Sequence, residues 1–75
     1  MKIEILGTGC AKCRKLYENA LDAVKQSGNE AEVVKVEEIR KIVSYGVMST
    51  PALVVDGVVK TSGKLLSTEE IIGML

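Results

Sequence analysis

The composition of this 75-residue chain limits what it can be. Ten Lys and Arg residues balance ten Asp and Glu residues, and its only aromatic side chains are two tyrosines. A chain of this length builds one hydrophobic core, so we expect a single domain over residues 1–75. Zero net charge and so few aromatic rings argue against binding to nucleic acid or to an anionic membrane surface.

The first segment predicts a β-strand over Lys2–Leu6, an apolar run that one acid, Glu4, interrupts. The segment has neither the cleavage pattern of a signal peptide nor the character of a membrane span, so we expect a cytoplasmic protein. The turn residues that follow, Gly7 to Gly9, end this strand.

Apolar residues at helical spacing predict a helix from Ala11 to about Gln26, which Ser27, Gly28 and Asn29 stop. A strand rich in β-branched residues follows over Ala31–Val36. A shorter helix is predicted over Glu37–Ser44, and its apolar residues share one face. These are Ile39, Ile42 and Val43.

The last third of the chain predicts a hairpin and a helix. Ala52–Val55 and Val58–Lys60 flank the pair Asp56-Gly57, which suits a type I′ turn because both central residues need positive φ. Ser67–Glu70 has the pattern of a capping box and predicts a final helix. The order βαβαββα is that of an α/β fold with a mixed four-stranded sheet and helices on both faces.

A pair of cysteines, Cys10 and Cys13, lies at the predicted start of the first helix. Two thiols at this spacing can interconvert between a dithiol and a disulfide. The helix N-terminus and the charge of Lys12 favour a thiolate at Cys10 and lower its pKa. That thiolate can attack a partner disulfide, after which Cys13 resolves the mixed disulfide.

Two other functions remain open at this point. The same two thiolates could carry a soft metal, Cu(I) or zinc, although a closed zinc site needs four ligands and the chain has no His and no third Cys. Small metal chaperones with this motif usually run βαββαβ, which differs from the order predicted here. A noncatalytic interaction domain would leave the cysteine pair unexplained.

The chain resembles the thioredoxin/glutaredoxin superfamily in the order of its parts. These are a strand, a glycine turn, Cys10-x-x-Cys13 and a helix, followed later by Thr50-Pro51 directly before a hairpin. More closely, the chain resembles the small thioredoxin-like redox-active disulfide proteins of archaea and bacteria. The resemblance implies a thioredoxin-like fold without a bound cofactor, an attacking Cys10, a resolving Cys13 and a cis Pro51 that faces them. It also implies that Thr50 presents backbone groups to which an extended partner segment adds as a strand.

The resemblance implies protein disulfides as substrates, an upstream reductase as a second partner, and a monomer. Gly63, expected beside the active site, could admit a partner segment there, although a plain turn is the alternative. Glu4 stands where thioredoxins place a buried acid, so it could shuttle a proton to the resolving thiol. Alternatively, Glu4 lies on a poorly covered face of the sheet beside Lys2. No metal ligands are predicted.

Overall fold

Local sequence signals account for most of the seven elements in the computed structural model, which describes residues 1–75. The elements are β1 Lys2–Leu6, α1 Ala11–Ser27, β2 Glu32–Val36, α2 Ile39–Ser44, β3 Ala52–Val55, β4 Val58–Ser62 and α3 Thr68–Ile72. This is the predicted order. Both residues of the Asp56-Gly57 turn have positive φ, 49° and 83°. Ser67 and Glu70 form both hydrogen bonds of a capping box.

The four strands form one mixed sheet in the order β2-β1-β3-β4. β1 pairs in parallel with β2, and β3 pairs antiparallel with both β1 and β4. A crossover helix therefore joins β1 to β2, and a tight hairpin joins β3 to β4. This arrangement brings the C-terminal end of β1 and the N-terminal end of β3 together at the same end of the strands, since Leu6 lies opposite Ala52.

Apolar side chains cover both faces of the sheet, as the sequence predicts. The larger cluster joins α1 and α3 to one face and consists of Ile3, Ile5, Leu16, Ala20, Ala23, Leu53, Val55, Leu66 and Ile71. The smaller cluster joins α2 to the other face and consists of Leu6, Val36, Ile42, Ala52 and Val54. Successive residues of β1 therefore point to different helices.

The second helix differs from its prediction. It begins at Ile39 and not at Glu37, and of its three apolar residues only Ile42 is buried. Ile39 and Val43 are each 65% exposed. The short length of α2 explains this exposure. A helix of six residues makes fewer than two turns, and only its residue Ile42 is buried. None of the helices is both long enough and apolar enough to span a membrane.

Candidate active site

Cys10 is the N-cap residue of α1. Its backbone is extended, with φ −68° and ψ 167°, and its Sγ accepts a hydrogen bond from the backbone N–H of Cys13 at 3.3 Å. The first N–H groups of a helix have no partner within the helix, so a sulfur at this position satisfies one of them. The residue is exposed, which leaves its sulfur open to a reacting partner.

Cys13 lies one turn into α1 and is only 5% exposed. Its Sγ is 2.7 Å from the Sγ of Cys10, and both residues are free thiols in hydrogen-bond contact. Gly7 makes room for this sulfur, because a Cβ built on Gly7 would overlap the Sγ of Cys13. The two thiols thus differ in access, with one at the surface and the other packed against the end of β1.

The environment moves the pKa values of the two thiols in opposite directions. The pKa of Cys10 is lowered, chiefly by the hydrogen bond from the thiol of Cys13 and next by the backbone N–H of Cys13. The pKa of Cys13 is raised, chiefly by burial and next by its hydrogen bond to Cys10. Hydrogen bonds that favour the charged form and burial that disfavours it are the two causes. Cys10 is therefore the thiol that ionises first.

Lys12 was predicted to stabilise the Cys10 thiolate through its charge. In the structure the backbone N–H of Lys12 lowers the pKa of Cys10, as a smaller cause than the two hydrogen bonds from Cys13, and the role of its charge stays a prediction. The effect of this N–H comes from the position of residue 12 at the helix start, which any non-proline residue would share.

Thr50, Pro51 and Gly63 lie together where β3 begins and β4 ends, and Thr50 lies near Cys13. The Thr50-Pro51 bond is cis, and the N–H of Gly63 donates to the carbonyl of Pro51 at 2.8 Å. Thr50 is exposed, and neither its N–H nor its carbonyl takes part in a backbone hydrogen bond. The Thr50 Cβ lies 3.9 Å from the position of a Cβ built on Gly7, and that same position would overlap the Sγ of Cys13. Thr50 is therefore close to the Cys13 sulfur.

Glu4 is buried, at 7% exposure, on the face of the sheet that α2 covers. Its register partner Val54 belongs to the α2 cluster, whereas Ile3 and Ile5 pack against α1. Its Oε1 accepts a hydrogen bond from the Tyr45 hydroxyl at 2.8 Å, and no hydrogen bond joins it to either sulfur. The shuttle role of Glu4 stays a prediction, but its surface alternative does not hold because the carboxylate is enclosed.

The Tyr45 hydroxyl is correspondingly perturbed. Its pKa is raised, first by the hydrogen bond to Glu4, then by burial and by the negative charge of Glu4. A carboxylate that accepts the phenol proton in a hydrogen bond favours the neutral phenol. Tyr45 ends α2 and precedes the loop to Pro51, so this bond ties that loop to the centre of the sheet.

A cavity of about 250 Å³ opens beside Cys13, on the side of α1 and β2. It is lined by Ile5, Gly7, Gly9 and Cys13 together with the charged Arg14, Lys35 and Glu37. The only salt bridges of the chain join Lys15 to Glu18 and Lys64 to Glu70, so the three charged groups of the cavity are not paired with one another. The cavity exposes the otherwise buried Cys13 to charged side chains.

Comparison with known proteins agrees with this geometry. The thioredoxin domain family matches residues 1–75. The chain belongs to this family. It is 48% identical to a thioredoxin of Methanothermobacter thermautotrophicus over 71 aligned residues, and the alignment covers 95% of this chain and 92% of that protein. It is 45% identical over 69 residues to a thioredoxin of Methanocaldococcus jannaschii, which covers 92% of this chain and 79% of that protein.

The thioredoxin-domain assignment and the paired sulfurs make this chain a thiol–disulfide oxidoreductase. The sequence pattern led to the sulfurs but not to Gly7 and Glu37, which lie near Cys13, nor to Tyr45, which bonds Glu4 on the other face of the sheet. Gly7 could have been suspected only from its position directly after the predicted strand Lys2–Leu6. For Glu37 and Tyr45 the sequence carries no such signal, because the residues they approach lie 28 and 41 positions earlier in the chain.

Proposed function

We propose that this thioredoxin-domain protein reduces disulfides of other proteins, with Cys10 as the attacking thiol and Cys13 as the resolving thiol. The observation that carries the proposal is the contact of the two sulfurs at 2.7 Å with pKa values shifted in opposite directions. An exposed thiolate attacks well, and a buried neighbour that keeps its proton does not compete with it.

The reaction needs two exchange steps. The Cys10 thiolate attacks one sulfur of the partner disulfide, which forms a mixed disulfide and releases the other partner sulfur as a thiolate. Cys13 then loses its proton and attacks the Sγ of Cys10, which releases the second partner thiolate. The partner gains two electrons and the protein loses two, so an upstream reductase must restore the dithiol. The two sulfurs suffice for this chemistry, and we propose no bound cofactor.

The partner segment is proposed to lie along Thr50, Pro51 and Gly63. The free N–H and carbonyl of Thr50 support this, since an extended segment can pair with them as a short added strand. Thr50 is exposed and both groups lack a backbone partner, so no existing hydrogen bond has to break before pairing. We further propose that the protein acts as a monomer in the cytoplasm, a reducing compartment in which C-x-x-C pairs more often serve catalysis or metal binding than structure.

Trapping tests the order of the two thiols. We expect Cys13→Ser to accumulate a mixed disulfide between Cys10 and a small disulfide-bonded protein, because the resolving sulfur is missing. We expect Cys10→Ser to trap none and to reduce the substrate no faster than buffer. Mass spectrometry of the alkylated products identifies the cysteine that forms the adduct. An adduct on Cys13 in the Cys10→Ser protein at a comparable rate would reverse the assignment.

The soft-metal carrier gains no support from the site. A zinc site requires four ligands, and no group of three or more His, Cys, Asp or Glu side chains comes together anywhere in the chain. The opposed pKa shifts also have no use in a carrier, which needs both sulfurs as thiolates. No observation favours this function over disulfide exchange.

A further inference from the structure

The second exchange step poses a problem of proton transfer. Cys13 is 5% exposed, and burial raises its pKa, so it carries its proton until it attacks. The carboxylate expected to remove that proton, Glu4, lies on the other face of the sheet with its Oε1 in a hydrogen bond to Tyr45. The proton of Cys13 therefore needs another acceptor.

The cavity beside Cys13 offers one. Of its charged lining groups, Arg14 and Lys35 are cations that have no lone pair to accept a proton, and Glu37 is the single carboxylate. The Oε2 atom of Glu37 lies beside Gly9, at 3.4 Å from the position that a Cβ on Gly9 would occupy. Gly9 directly precedes Cys10, so this carboxylate lies beside the residue that leads into the cysteine pair.

The space between Glu37 and Cys13 suits a water-mediated transfer. A cavity of about 250 Å³ holds several water molecules, each of which occupies about 30 Å³ in the liquid. No salt bridge engages the Glu37 carboxylate, so it remains free to bond such a water. A general base can act through one intervening water.

We propose that Glu37 accepts the proton of Cys13, through water in this cavity, when Cys13 attacks the mixed disulfide. The inference rests on the proposed function. In this step the bond between the Sγ atoms of Cys10 and Cys13 forms and the bond between Cys10 and the partner sulfur breaks. The Cys13 proton passes to Glu37 and then to the departing partner thiolate, so the carboxylate returns to its starting state.

The charges around Cys13 are consistent with this role. In the free dithiol the negative charge of Cys10 opposes ionisation of Cys13, but in the mixed disulfide Cys10 carries no charge and this effect is absent. Arg14 from α1 and Lys35 from β2 line the cavity as cations and favour the transient thiolate. Lys35 is held in place with its Nζ 4.6 Å from the centre of the Tyr17 ring. Glu4, from β1, faces away toward α2.

The test is a single-turnover reaction with one equivalent of an aromatic disulfide that releases a coloured thiolate in each step. The first release reports the attack of Cys10, and the second reports the attack of Cys13. We expect Glu37→Gln to slow the second release about a hundredfold or more near pH 6.5, the low end of what a general base contributes. The first release should not change, and Glu37→Asp should retain part of the second rate.

Glu38→Gln is the matched control, because it removes the same charge one residue along, from an exposed side chain that makes no capping hydrogen bond. We expect both of its releases to match the wild type. The effect of Glu37→Gln should diminish as the pH rises, because a Cys13 thiol that is already ionised needs no base. Rates from about pH 6 to pH 10 test this trend.

The sign of the effect separates the possible roles of Glu37. A purely electrostatic role predicts a faster second release in Glu37→Gln, because loss of a negative charge favours the Cys13 thiolate. An unchanged or faster rate would therefore overturn the inference, as would a slowed second release in Glu4→Gln with none in Glu37→Gln. If the wild type itself gave a single release, the proposed function would fail, which is a distinct result.

Discussion

Two cysteines three positions apart acquire different chemistry because they occupy different positions at a helix start. Cys10, as the N-cap, accepts the backbone N–H of Cys13, and its sulfur is in hydrogen-bond contact with the thiol of that neighbour. Cys13 lies inside the first turn, where its sulfur packs against Gly7 and away from solvent. Hydrogen bonding lowers one pKa and burial raises the other, so position alone separates the attacking thiol from the resolving thiol.

This account predicts which substitution changes the pKa of Cys10. We expect Cys13→Ala to raise it, because the hydrogen bond from the Cys13 thiol is the largest cause of its lowering. Lys12→Gln keeps the backbone N–H and should leave the pKa of Cys10 at its wild-type value. The pH dependence of alkylation at Cys10, followed by mass spectrometry, measures both. An equal rise in Lys12→Gln would assign the effect to the ammonium charge.

Because Cys10 reacts as its thiolate, a raised pKa has a defined consequence for the pH profile. Below the pKa the alkylation rate falls tenfold for each pH unit, in proportion to the thiolate fraction. The Cys13→Ala profile should therefore shift to higher pH, and its loss of rate should be largest at acidic pH. At alkaline pH, where the thiol is fully ionised in both proteins, the two rates should converge.

At the scale of elements, the site depends on the junction between the end of β4 and the loop before β3. Gly63 follows β4, donates its N–H to the carbonyl of Pro51, and has φ 71°. A Cβ on Gly63 would come within 2.8 Å of the Cβ of Ser49, closer than real Cβ atoms approach. The hairpin thus holds the Ser49–Pro51 segment beside the sulfurs by a hydrogen bond and by close packing.

A pair of glycine substitutions tests this junction. Gly28 ends α1 with the same φ of 71°, but a Cβ there would meet nothing within 4 Å. Forcing alanine into this left-handed region costs about 1–2 kcal/mol. Both Gly63→Ala and Gly28→Ala should therefore lower the free energy of unfolding by about 1–2 kcal/mol or more. Only Gly63→Ala also moves the Ser49–Pro51 segment, so it alone should slow reduction of a protein disulfide.

Urea unfolding and a disulfide reduction assay on both variants separate stability from function. Equal rates of reduction in the two alanine variants would mean that the contact of Gly63 with Ser49 does not hold the partner surface. A larger loss of stability in Gly63→Ala than in Gly28→Ala is expected, since the close approach to Ser49 adds to the backbone cost.

At the scale of the whole molecule, a central pair of strands carries the stability. β1 and β3 lie in the middle of the sheet, and β3 is buried along its whole length. Leu53 is fully buried between the sheet and the helices α1 and α3. In a chain of this size one such residue is a large part of the core, because small domains bury a small fraction of their surface.

We expect Leu53→Ala to lower the free energy of unfolding by about 2–5 kcal/mol, the usual cost of truncating a buried leucine. Val58→Ala, in the neighbouring strand, removes a side chain that is 57% exposed and should cost less than about 1 kcal/mol. Urea denaturation measures both. A similar loss in the two variants would mean that stability is not concentrated in the core beneath α1 and α3.

Local patterns made most of the fold predictable from the sequence. The order of elements, the Asp56-Gly57 turn and the capping box at Ser67 follow from spacing and from residues with known turn preferences. The cysteine pair is also local, because both sulfurs belong to one helical turn. The extent of α2 was predicted less well, since its burial depends on how six residues lie on the sheet.

What the tertiary structure alone decided is which distant side chains meet at the site. Strand register turns Glu4 toward α2 and Tyr45, on the face away from α1. The parallel pairing of β1 with β2 brings Glu37 beside Gly9 and the cavity of Cys13. The sequence by itself determined the reacting groups because they are local, whereas their surroundings depend on contacts between residues far apart in the chain.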